Sequence, residues 1–241
     1  MAGEPFSLLL ADVRVSDARP CVALAAGVHG DEPAAPWALH SAVRDGLLDA
    51  RLAYRIWICT NPTGYAAGTR VNAQGADVNR SFSRDGLHAT TAEARAIERA
   101  NEGRTFELSL DMHEDFEAQG FYCYEPVVGE PAGLGRAVVQ SVAEAGLPVQ
   151  ELTGDFDLGY PPAATHLRVL ERGLVMPNVE AEVNHFEGLP YSMYLLWTGT
   201  ARRTMTLETP SSRAWDERIA MHRIAVVGAV SRLIDLETPP A

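Results

Sequence analysis

The 241-residue sequence predicts an α/β fold: one domain with a mixed, mostly parallel central sheet flanked by helices. Three observations carry that expectation. Short apolar runs alternate with longer helical patterns. Several of the runs are apolar at every position, as strands covered on both faces are. No linker, internal repeat or low-complexity tract divides the chain.

Each element has its own signature. Strands are expected at Cys21–Ala26 (CVALAA), Arg55–Cys59 (RIWIC), Phe106–Met112 (FELSLDM), Phe121–Tyr124 (FYCY), Gly173–Glu180 (GLVMPNVE) and Thr204–Glu208 (TMTLE). All are brief, rich in β-formers or continuously apolar, and bounded by turn residues. A helix is expected over Pro36–Leu48, where Leu39, Val43 and Leu47 share a face. Thr90 followed by Glu93 reads as a capping box, with Ala94, Ile97 and Ala100 continuing its stripe. Gly133–Ala145 reads as a further helix. The longest spans Trp215–Leu236, with Ile219, Arg223, Val227, Val230 and Ile234 along one side and Ser212 as N-cap. Met1–Arg19 and Thr238–Ala241 read as frayed ends.

With 46% hydrophobic and 22% charged residues, the composition suits a full-sized globular core. The net charge of -12 argues against nucleic-acid partners, whose phosphates need clustered Lys and Arg. Cys21, Cys59 and Cys123 lie far apart without CxxC spacing, so they read as buried free thiols. The apolar patch FSLLLA follows Glu4, is too short for a membrane span and lacks the basic flank of a signal peptide. A soluble, cytoplasmic protein with no membrane partner is expected.

Open α/β sheets bind ligands beyond the carboxyl ends of their strands, so polar residues that follow strand runs are the site candidates. CVALAAGVHGDE delivers His29 and Glu32, ELSLDMHED delivers His113, Glu114 and Asp115, and TMTLETP delivers Glu208. Two histidines and a carboxylate are a common catalytic zinc set that leaves a fourth position open. His29, Glu32 and His113 would supply it, although a lone His-x-x-Glu also fits a polar loop. An HExxH helix motif is absent, which excludes that type of metalloprotease. The glycine-punctuated stretch Asn61–Phe82 reads as a long loop carrying Arg70, Asn79 and Arg80. It suits either solvent or anion recognition, because arginine offers a fork of donors to a carboxylate or oxyanion.

Together GVHGDE, NPTGYAAGTRVNAQGADVNRSF, DMHED and TLETP stand in the order and approximate spacing of the M14 zinc carboxypeptidase superfamily. That superfamily includes the succinylglutamate desuccinylase and aspartoacylase branch. From about Gly27 to Pro210 the sequence resembles a short bacterial-type member. The resemblance implies a zinc carboxypeptidase-like, phosphorylase/hydrolase-like fold and one Zn2+ ion. His29 and Glu32 match the first two zinc ligands, and His113 matches the third. Glu208 matches the glutamate that activates the metal-bound water, and Arg70 the arginine that polarises the scissile carbonyl. Asn79 and Arg80 match the pair that grips a terminal carboxylate. Val78 stands where the family's Asp-Leu-Asn-Arg has leucine, a conservative difference.

Peptide-cleaving members often close a tyrosine over the substrate, and Tyr160, Tyr191 and Tyr194 are the candidates for that role. GDFDLGYPP and EAEVNHFEGLPY read as loops that shape the pocket, with His185 and Glu180 or Glu182 as a rival ligand set. Asp31 reads as a bystander, and His40, His88, His166 and His222 as packing or surface residues. Asp111 or another nearby acid would hold a ligand histidine in its tautomer. The leading expectation is a metallocarboxypeptidase that trims a C-terminal residue from a small peptide, Glu208 serving as base and then acid. The alternative substrate is an N-acyl amino acid with a free carboxylate, cleaved by a deacylase of the desuccinylase/aspartoacylase kind. GVHGDEPAAP fits that branch, whereas the Asn61–Phe82 stretch leans toward the peptidases. A non-catalytic binder is disfavoured, since all three ligand positions and Glu208 are filled.

Overall fold

The computed structural model describes residues 7–14, 19–126, 132–152 and 167–237. Its strands are β1 (Leu10–Val13), β2 (Cys21–Ala26), β3 (Ala53–Trp57), β4 (Leu108–Asp115), β5 (Tyr122–Tyr124), β6 (Leu167–Glu171), β7 (Leu174–Pro177) and β8 (Thr204–Pro210). They join in one sheet of order β1-β3-β2-β4-β8-β5-β7-β6. The centre, β3-β2-β4-β8, is parallel throughout. β5 turns antiparallel to β8 yet runs parallel to β7, and β1 and β6 close the edges antiparallel. The helices are α1 (Ala34–Arg44), α2 (Pro62–Ala67), α3 (Ala92–Asn101), α4 (Leu134–Glu144), α5 (Val179–His185), α6 (Tyr191–Trp197) and α7 (Trp215–Glu237). This is the mixed, centrally parallel α/β sheet that the sequence predicts.

Strand alternation divides the interior into two cores. Leu108, Leu110 and Met112 of β4 and Met205 and Leu207 of β8 pack with Leu39 of α1, Val138 of α4 and Ala225 of α7. The intervening residues of β4 and β8 face the other way. There Ala23 and Ala25 of β2 meet Ala94 and Ile97 of α3 and Leu195 of α6. Asp111, His113, Thr206 and Glu208 therefore emerge on the second face, at the carboxyl ends of adjacent parallel strands. The register sets His113 directly beside Glu208.

Several boundaries differ from the sequence expectation, each for a local reason. The second run forms β3 at Ala53–Trp57 rather than Arg55–Cys59, because it pairs with Cys21–Ala25 of β2. β4 continues through His113 to Asp115, paired with β8 to Pro210. Thr91, not Thr90, caps α3, its side chain accepting the Ala94 N–H. Ser212 does not cap α7: its hydroxyl donates to Ala118 O, and Ala214 O accepts the first helical N–H groups. The buried face of α7 carries Met221, His222, Ala225, Ala229 and Leu233, whereas Val227 is exposed. Leu10–Val13 is no frayed end but an edge strand, held by the Asp12–Arg55 ion pair. The Gly173–Glu180 run stops at Pro177, after which Asn178 caps α5. Of the three free cysteines only Cys123 is fully buried. No described helix is long and apolar enough to cross a membrane.

Candidate active site

The turn after β2 depends on two glycines. Gly27 sits at φ +67, where an added Cβ would meet Pro36 Cγ at 2.9 Å. At Gly30 a Cβ would lie 1.9 Å from the carbonyl carbon of Gly64, so only glycine lets this loop pack on α2. The Gly30 N–H donates to Thr69 O. The chain then enters α1 through Pro33, leaving His29 and Glu32 buried at the end of the sheet.

His29, Glu32 and His113 converge. Each offers a ligand atom within 4.8 Å of the others, and they form the one such cluster among the described residues. His29 Nδ1 lies 2.5 Å from Glu32 Oε1, and His113 Nδ1 lies 2.9 Å from Glu32 Oε2. A tetrahedral ion with bonds of about 2.0–2.2 Å places its ligands roughly 3.3–3.6 Å apart, so a small expansion of this set would accept one. Two imidazole nitrogens and a carboxylate also match the donor preference of zinc.

Each ring is backed on its far side by an acid, as metal-ligating histidines are. Asp111 Oδ2 lies 3.1 Å from His113 Nε2, which answers which acid holds that ring. Asp77 Oδ1 lies 3.3 Å from His29 Nε2. Burial alone would raise the Glu32 carboxyl, but the two imidazoles outweigh it and hold it far below the usual range. Burial would also discharge His113, yet Asp111 and Glu32 prevail and raise its pKa well above normal. Asp77 is likewise lowered, with His29 and Arg70 overcoming desolvation. The imidazoles are thus surrounded by three carboxylates, Glu32, Asp77 and Asp111, a donor set of the kind that accompanies a divalent cation.

All seven residues singled out from the sequence line one cleft of about 400 Å³: His29, Glu32, Arg70, Asn79, Arg80, His113 and Glu208. Glu208 stands between His113 and Tyr122 in the sheet register. Burial pushes its carboxyl well above the carboxylate range; His113 opposes the shift, and Glu32, Asp115 and Asp111 add to it. Arg70 sits beside the cluster, with Nη1 3.3 Å from His29 Nδ1 and Nη2 3.1 Å from Asp77 Oδ2. Asn79 Oδ1 accepts the Tyr191 N–H at 2.9 Å, which fixes the amide while its Nδ2 donates to no described residue. The Arg80 guanidinium lies 4.3 Å over the Phe186 ring and donates to Asn79 O.

The Asn61–Phe82 stretch is more ordered than a solvated loop. It contains α2 and a 3-10 turn at Val78–Arg80, which Asp77 caps through the Asn79 N–H. Asp77, which the sequence reading left unassigned, is a further neighbour of the cluster. Its signal was its place two residues before Asn79, as a cap residue opening a short helix. Tyr191 and Tyr194 do not face the cleft: both rings pack on Phe82 in the second core. Tyr122 and Tyr124 line it instead. Tyr160, His166 and the GDFDLGYPP segment lie outside the described residues. Glu180–Glu187 is mostly helix α5 rather than an acidic loop, with Glu182 buried and His185 exposed. His40 and His88 are exposed, whereas His222 is buried with Nε2 3.1 Å from Thr209 Oγ1. Asp31 is exposed at the cleft mouth, outside the ligand cluster.

The parallel strand ends and their cleft belong to the carboxypeptidase-like class of α/β folds, as three solved structures show. One is a candidate metallopeptidase from Shewanella amazonensis, 24% identical, with a TM-score of 0.72 over 97% of this chain and 83% of its own. A second, from Shewanella denitrificans, is 22% identical with a TM-score of 0.71 over 100% and 83%. A metallo-carboxypeptidase from Burkholderia cenocepacia is 16% identical, with a TM-score of 0.65 over 95% and 61%. The sequence profile of the succinylglutamate desuccinylase/aspartoacylase catalytic domain matches residues 18–150, more than half of the chain. The protein belongs to this succinylglutamate desuccinylase/aspartoacylase family. The matched region holds six of the seven residues, and Glu208 lies beyond it. No curated protein sequence matches the chain.

Proposed function

We propose that the protein is a zinc-dependent amide hydrolase whose substrate carries a free carboxylate, with the C-terminal residue of short peptides as the leading substrate class. The observation that carries this reading is the meeting of His29, Glu32 and His113 with Glu208 on adjacent strand ends. The three ligands would hold the ion, which supplies carbonyl polarisation and a lowered pKa for water. Glu208, beside His113 on the adjacent strand end, accepts a proton from the attacking water and returns it to the leaving amine. Arg70 donates to the developing oxyanion, an effect worth about 2.7–4 kcal/mol for one donor. The Asn79 amide and Arg80 grip the carboxylate and set the scissile bond over Glu208.

The carboxypeptidase-like fold supports the peptide reading, and the family match supports a second one equally, hydrolysis of N-acyl amino acids. A panel of short peptides and N-acyl amino acids, assayed with zinc and after chelation, separates the two. We expect zinc-dependent release of the carboxylate-bearing residue. Arg80→Ala should raise KM roughly 10- to 100-fold for free carboxylates, from the 1.5–3 kcal/mol of a charged hydrogen bond. Amide-capped analogues should be unaffected. Zinc-loaded protein inert toward both classes would overturn the proposal.

A further inference from the structure

At the cleft wall, strand alternation turns the Glu114 side chain, next to His113, toward α1 and α7. Its side chain is fully buried, and the proposed hydrolysis does not use it. Glu114 Oε1 accepts the Ala34 N–H at 2.6 Å, at the start of α1 and two residues after Glu32. Oε2 accepts from Arg218 Nη1 of α7 at 2.5 Å. Its own backbone N–H donates to Glu32 Oε2 at 3.1 Å. Arg218 in turn stands 5.1 Å from the Trp215 ring, which braces the guanidinium on the first turn of α7.

We propose that the Glu114–Arg218 pair is a positioning strut that locks Glu32 for metal binding, tying the ligand turn, the end of β4 and α7 into one frame. Glu32 is held from two sides. The Glu114 peptide N–H orients the carboxylate, and the Glu114 side chain anchors the Pro33–Ala34 segment that follows it. Pro33 has no N–H, so Ala34 offers the first free donor of that segment, and Glu114 takes it. A ligand carried on a turn would otherwise have its geometry set by the two histidines at its oxygens and the more distant, half-exposed Arg70. Supporting groups of this kind typically change metal affinity 10- to 100-fold.

This inference rests on the reading that His29, Glu32 and His113 hold a metal. The test compares wild type with Glu114→Ala, Glu114→Gln, Arg218→Met and His29→Ala. Zinc affinity is measured by chelator competition, the visible spectrum with cobalt, and melting with and without metal. We expect Glu114→Ala and Arg218→Met to bind zinc roughly 10- to 100-fold more weakly, with altered cobalt bands. Glu114→Gln keeps an acceptor for the Ala34 N–H and should recover much of that loss. A merely structural role would lower melting of the metal-free protein and leave zinc affinity and the cobalt spectrum unchanged, which overturns the strut. Should Glu114→Ala fail to fold, Arg218→Met decides by the same measurements. Wild type that binds no more zinc than His29→Ala would instead defeat the metal reading itself.

Discussion

Replacing Asp77 by asparagine isolates what one carboxylate contributes to the site. The Asp77 carboxylate meets three residues: His29 Nε2 at 3.3 Å, Arg70 through Nη2 at 3.1 Å and Nε at 3.2 Å, and the Asn79 N–H at 2.8 Å. Asparagine caps helices as well as aspartate does, so the 3-10 turn carrying Asn79 and Arg80 should survive. Only the charge is lost. The Arg70 side chain is 48% exposed, so solvent screens that pair to about 0.2–1 kcal/mol. The ion-pair contact with His29 is more buried and less screened, worth about 1–2 kcal/mol. Together they predict zinc binding weakened about 10- to 100-fold, in line with other groups that back metal-ligating histidines. Chelator competition measures that loss, and kcat/KM should fall with it as Arg70 loses its anchor. Asp77→Ala should lose the cap as well, about 1 kcal/mol, and melt about 2–4 °C lower. Zinc affinity and kcat/KM of Asp77→Asn within twofold of wild type would refute this account.

Glu208→Gln should leave zinc bound while kcat falls about 10²–10⁴-fold, and a fully active variant removes Glu208 from its role. Gly30→Ala drives a methyl group into the Gly64 backbone, where no rotamer offers relief. A loss of at least about 1–3 kcal/mol in urea unfolding is expected, with weaker zinc binding, and unchanged values in both would sink the packing argument. His222 is held neutral: burial, assisted by His113, pushes its pKa from 6.5 down to about 3. The folded state therefore takes its proton later than the unfolded chain, so stability is lost as pH falls from about 6.5 toward 3. Between pH 8 and pH 5 this amounts to about 2 kcal/mol, which His222→Gln should abolish in paired unfolding curves. Parallel pH dependence in the two proteins would count against it.

The legible part of the site was the part written as local pattern. Apolar runs ending in His29, His113 and Glu208 placed those residues at strand ends, because a buried parallel strand must be apolar and stops where polar side chains begin. The helices misread were the short ones: α2, α5 and α6 have six or seven residues each, too few for a period of 3.6 to show. The closing-tyrosine candidates Tyr191 and Tyr194 went wrong for a related reason. Nothing local distinguishes an aromatic ring packed on Phe82 from one turned to a cleft. The boundary between Thr90 and Thr91 as cap also turned on a single hydrogen bond.

By itself, then, the sequence determined the α/β class, the parallel centre and the identities of the seven candidate residues, since these follow from hydrophobic period and ordered motifs. Only the tertiary structure decided how they meet. Register sets His113 beside Glu208, and the approach of Gly30 to Gly64 brings His29 and Glu32 under Arg70. Asp77, Asp111 and Glu114 owe their parts to neighbours 48 to 104 positions away or to the face of a strand. Such contacts are settled when the sheet closes and its two faces are covered, a free energy of packing that no local window of sequence contains.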